Sequence, residues 1–97
     1  MYDIDDFTAA AIAASWHSVM TWNDPGVAMY SVTSTGTVHS EEHRANLLAY
    51  IETCMPQAEK LDAQGESCTL PDRFGSNVEE LDALREWATE YRITPNA

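Results

Sequence analysis

Three segments with apolar residues at helical spacing, two of them opened by recognisable N-terminal caps, predict an all-α fold: a compact bundle of about four helices forming one domain over residues 1–97. The first helix is expected from about Asp3 to Trp22. Asp3 is placed to cap it, and Asp5 and Asp6 lie in its first turn, where the helix dipole favours negative charge. Ile4, Phe7, Ala11, Ile12, Trp16 and Val19 fall on one broad face. Ala9, Ala10, Ala11, Ala13 and Ala14 add high helix propensity.

The second segment opens with Asp24-Pro25 and closes at Gly36, the punctuation of a short helix. Its interior points the other way. Val27, Val32, Thr33 and Thr35 are β-branched, and Ala28, Tyr30 and Val32 alternate as in a strand. A hairpin at 27–38, which would make the fold α+β, is the alternative.

Ser40 caps the third helix, with Glu41 and Glu42 in its first turn. Leu47, Leu48, Ile51, Cys54, Met55, Ala58 and Leu61 carry one apolar stripe through Pro56. Proline lacks an N–H and disfavours helical geometry at the residue before it, so a break or kink is expected there. Gln64 to Gly75 reads as a loop pinned to the core by Cys68, Leu70 and Phe74. The last helix starts at a capping box, Ser76-Asn77-Val78-Glu79, and continues through Leu81, Leu84, Ala88 and Tyr91, with Trp87 beside that stripe. Ile12, Trp16, Leu47, Ile51, Leu81 and Leu84 are expected to share one core.

Sixteen acidic residues against five basic ones give a formal net charge of −11. Such a surface repels nucleic acid and anionic membrane and attracts basic partners, while also serving solubility. No stretch is long and apolar enough to span a bilayer. The acidic start, Tyr2-Asp3-Ile4-Asp5-Asp6, is unlike a signal peptide, which makes the cytoplasm the expected compartment. Cys54 and Cys68 are then expected as reduced thiols.

His39-Ser40-Glu41-Glu42-His43 fits the H-x-x-E-H pattern of inverted zinc peptidases. That chemistry needs both imidazoles on one helical face, but Ser40 as the cap leaves His39 outside the helix. Two solvent-exposed histidines are expected instead, with no metal and no cofactor. No nucleophile elbow and no phosphate-binding glycine loop is present in the sequence.

The candidate site is a partner-binding face. Asp82, Glu86 and Glu90 recur every four residues on the last helix, with Glu79 above them, opposite the Leu81–Leu84–Ala88 face. Four residues rise ~6 Å along a helix, a step comparable with that between phosphates of one DNA strand. Such a ladder suits a mimic of nucleic acid. Arg85 and Arg92 interrupt it. Trp22 is added as an apolar contact residue.

Ala14-Ser15-Trp16-His17, then Asp24-Pro25, Ala28-Met29-Tyr30-Ser31, Ser34-Thr35-Gly36 and Cys54-Met55-Pro56, resemble small uncharacterised accessory proteins of actinobacteria and actinobacteriophages. The likeness covers Ala14 to Pro56; the long loop at Gln64 to Gly75 departs from it. The resemblance implies no catalytic residues. It implies a phage or host factor acting through contact with another protein, in the host cytoplasm if phage-encoded, and favours the helical reading of Pro25 to Thr35. The expected function is therefore non-enzymatic: binding of a basic or host-encoded protein, without direct nucleic-acid contact or membrane insertion, homo-oligomers being left open. The alternative is an acidic DNA mimic that inhibits a nucleic-acid-binding defence or regulatory protein.

Overall fold

A computed structural model describes residues 4–23 and 37–93 of the chain. Among the described residues the fold is all-α, with three helices: α1 (Asp6–Asn23), α2 (Glu41–Ala63) and α3 (Asn77–Glu90). The segment that the sequence reads as a short helix or hairpin lies outside the described residues, except Thr37 and Val38, which are in neither helix nor strand.

Helix α1 begins later than expected. The Asp5 carboxylate accepts from the N–H of Thr8 at 2.7 Å, so Asp5 is the N-cap and not Asp3. The hydroxyl and backbone N–H of Thr8 hold the Asp5 carboxyl below its usual range. The buried face is also rotated from the expected one. Ile4, Ala9, Ile12, Ala13, Trp16 and Met20 are buried, whereas Ala11 is exposed and Phe7 is 84% exposed. Phe7 sits five residues before Ile12, about 140° away around a helix of 3.6 residues per turn. The small Ala9 and Ala13 let α1 approach its neighbours closely instead.

Helix α2 is continuous from Glu41 to Ala63 with Pro56 inside it, so of the break or kink expected there the break does not occur. Proline deprives the Glu52 carbonyl of its helical donor, and both residues lie on the exposed side of the helix. Buried Ile51, Cys54 and Ala58 hold the two halves to one core. After the helix, Gly65 takes φ 76°, Glu66 N–H bonds Leu61 O at 3.0 Å and Gly65 N–H bonds Asp62 O at 3.1 Å, closing the C-terminus in a Schellman motif.

Helix α3 packs antiparallel to α2 and is fastened at both ends. At its N-terminus, Asp62 Oδ1 accepts from Asn77 N–H at 2.8 Å and Oδ2 from Val78 N–H at 3.1 Å. At its C-terminus, the Arg44 guanidinium donates to the carbonyls of Ala88, Thr89 and Tyr91. Helix α1 runs antiparallel to α3, joined by Trp87 to Asp6 at 3.0 Å and Trp16 to Glu80 at 3.0 Å. Ile12, Trp16, Leu47, Ile51, Leu81 and Leu84 occupy one core, as their spacing predicts. The loop is pinned as expected: Cys68 and Phe74 are buried and Leu70 packs against the core.

Candidate functional site

The acidic face of α3 is built outward from its caps. Ser76 Oγ accepts from Glu79 N–H at 3.1 Å, and Glu79 Oε2 accepts from Gly75 N–H at 2.7 Å, one residue before the cap. Glu79 is thus exposed but partly committed to the helix start. Leu81, Leu84 and Ala88 turn inward, which sends Asp82, Glu86 and Glu90 to the other side.

The four carboxylates are not equally presented. Glu90 is exposed, whereas Asp82 and Glu86 are only partly so. The Asp82 side chain is 40% exposed and lies 3.6 Å from Arg85, which also pairs with Glu52 at 3.0 Å. The stripe is therefore presented to solvent only in part at Asp82 and Glu86, and the Arg85 guanidinium lies beside Asp82. Trp22 falls in the last turn of α1, but its side chain lies outside the described residues.

Helix α1 contributes a second exposed surface that includes Phe7 and Ala11, two residues expected on its apolar face. From Phe7 to Asn23 it carries no Asp, Glu, Lys or Arg. Phe7, Ala11, Ala14, Ser18 and Thr21 are exposed along it. The signal was present in the absence of charge on both sides of the helix.

Behind these surfaces lies a buried polar network, also missed by sequence reasoning. Glu80 is fully buried. Its Oε1 accepts from the Trp16 indole at 3.0 Å and its Oε2 from Leu70 N–H at 2.9 Å. The loop is further tied by Ser15 to Thr69 at 2.8 Å and by Arg73 to Thr8 at 3.1 Å. A charged residue four positions before Leu84, on the core face of α3, was the available clue.

The two thiols and the His39–His43 pair lie in different settings. Cys54 and Cys68 are free and buried. Burial pushes the Cys54 thiol up to about 11, against the opposing effect of its Tyr50 hydrogen bond. Burial, then the Glu80 charge, raises Cys68, whose thiol donates to Phe74 O at 3.3 Å. His39 is exposed, but His43 is buried, contrary to the expected pair of solvated histidines. Its Nδ1 accepts from the His39 N–H at 3.0 Å, so that nitrogen turns to the backbone. Among the described residues no three His, Cys, Asp or Glu side chains form a group suited to a metal ion. None of their helices is long and apolar enough to cross a membrane.

Comparison of the chain with family models, with curated proteins and with solved structures finds no match in any of the three.

Proposed function

We propose that this protein is a non-enzymatic protein–protein interaction module whose binding face is the acidic side of α3. The observation that carries this reading is that α3 is clamped at both ends by side chains of α2, Asp62 and Arg44, while it displays Glu79, Asp82, Glu86 and Glu90. A helix held in this way presents its carboxylates with little ordering left to do on binding, which favours affinity. The complementary partner is basic, because a net charge of −11 steers cationic surfaces toward the protein. A phage-encoded factor that binds a host protein in the host cytoplasm fits this chemistry and the resemblance over Ala14 to Pro56.

The second reading is a DNA mimic, favoured by the four-residue carboxylate spacing. Arg85 beside Asp82 counts against an uninterrupted ladder. One experiment addresses both. The neutral isosteres Asp82→Asn, Glu86→Gln and Glu90→Gln, combined, should preserve the circular-dichroism spectrum. In pull-downs from host lysate they should lose a basic partner that the wild type captures at low salt. Displacement of that partner by duplex DNA supports mimicry; indifference to DNA supports a protein-specific interface. Equal capture by wild type and variant at low salt would remove α3 from consideration and move the search to the uncharged face around Phe7.

A further inference from the structure

Helices α2 and α3 open with the same device. In each, a serine N-cap accepts from the N–H three residues on: Ser40 from His43 at 3.0 Å, Ser76 from Glu79 at 3.1 Å. In each, that third residue reaches back four positions to a backbone N–H: Glu79 to Gly75 at 2.7 Å, His43 Nδ1 to His39 at 3.0 Å. The acceptors differ in one respect. A carboxylate accepts throughout the neutral range, but an imidazole accepts at Nδ1 only while that nitrogen is unprotonated. A backbone N–H cannot reverse its role, so the proton of neutral His43 sits on Nε2.

Protonation would turn Nδ1 into a donor facing another donor. It would also place a positive charge, 8% exposed, at the positive end of the α2 dipole. Both effects oppose the closed cap. The titratable group against His43 is the His39 imidazole, stacked on it with centroids 5.0 Å apart; the charged groups of the same turn are exposed Glu41 and Glu42, with Glu41 paired to Arg44 at 3.0 Å, and at the α3 end Arg44 reaches the Tyr91 carbonyl. Burial, then the His39 charge, lowers the His43 pKa below the usual imidazole value.

The next residue gives the cap its reach. Arg44 follows His43 in the same turn and holds the final carbonyls of α3. We propose that His43 is an acid-sensitive catch: unprotonated, it closes the first turn of α2; protonated, it opens that turn and loosens the Arg44 clamp on the end of α3. The catch is closed above the unfolded-chain pKa of about 6.5 and weakens as pH falls below it. The opening equilibrium should shift about tenfold for each unit by which the folded pKa lies under that value.

His43→Gln supplies an amide oxygen that does not titrate. Between pH 7.5 and 5.5 the urea midpoint of the wild type should fall, and that of H43Q should fall distinctly less. Hydrogen-exchange protection factors for the last turn of α3 should drop with acid in the wild type and hold in H43Q. An NMR titration of the wild type, which needs no variant to fold, should place His43 below about 6.5. A His43 pKa at or above that value, or parallel pH profiles for the two proteins, would overturn the proposal.

Discussion

Glu80 shows how a single residue holds two elements in place. Its carboxylate is the shared acceptor for the Trp16 indole on α1 and the Leu70 N–H in the loop. Removing it leaves two donors, of which the indole is buried, without partners, and an unsatisfied buried donor costs about 1–3 kcal/mol. Glu80→Ala should therefore lower stability by about 1–3 kcal/mol for the indole alone, measured as a reduced urea midpoint. Glu80→Gln, which retains one acceptor oxygen, should lose less. A midpoint for Glu80→Ala within error of the wild type would mean that water replaces the carboxylate. Arg44 makes a similar argument with its charge reversed. Its planar fork bonds three carbonyls, a geometry that the point charge of lysine does not reproduce. Arg44→Lys should recover little of the roughly 1–3 kcal/mol lost in Arg44→Ala. Full recovery by lysine would reduce Arg44 to a generic dipole partner.

At the scale of elements, the junction between α2 and α3 is tied by Asp62, whose carboxylate takes two N–H groups from the α3 start and the Asn77 amide. Burial works to raise its pKa, but the bonds from Asn77 and Val78 prevail and hold it below the usual range. A depressed folded-state pKa means that this contribution is complete above the unfolded value of about 3.9 and is lost as pH falls below it. Asp62→Ala should therefore be destabilised at pH 7 and approach the wild type near pH 2. A constant difference across that range would refute the charge-dependent part of the tie. This junction also marks where the sequence was legible. The Ser40 and Ser76 caps and the inward residues of α2 and α3 follow local rules that the spacing of residues displays. Asp62 and Arg44 act on a helix distant in sequence, so nothing in their own neighbourhood reveals them. Phe7 failed for the opposite reason: α1 is apolar or small nearly all round, and periodicity alone did not choose a face. Pro56 obeyed its local rule only until tertiary burial on both sides overrode it. The acidic ladder on α3 and its interruption by Arg85 were visible as a pattern, whereas the pairing of Arg85 with Glu52 on α2 depends on how the helices pack.

For the whole molecule, one core and one excess of charge compete. Leu84 is fully buried among residues of the common core. Leu84→Ala should cost about 2–5 kcal/mol, a large share of the stability of a domain this small. Against the core stands mutual repulsion among sixteen acidic residues with only five basic ones to offset it. Added salt acts on both repulsive and attractive charge pairs, so the sign of its effect shows which set prevails. The attractive surface pairs, Arg85 with Glu52 and Arg44 with Glu41, involve partly exposed groups, and such pairs contribute about 0–1 kcal/mol each. The repulsion is spread over the surface, and a Debye length of about 10 Å at 0.1 M, falling to about 3 Å at 1 M, removes most of it. The Tm at pH 7 should thus rise between 20 mM and 500 mM sodium chloride, at salt levels where screening and not ion exclusion dominates. The neutral variant Asp82→Asn, Glu86→Gln and Glu90→Gln should start with a higher Tm at low salt and gain less as salt is added, because part of the repulsion is already gone. A Tm that falls with salt in the wild type would show that the ion pairs outweigh the excess charge. It would also mean that the α3 carboxylates are held in favourable local contacts, and are correspondingly less free to meet a basic partner.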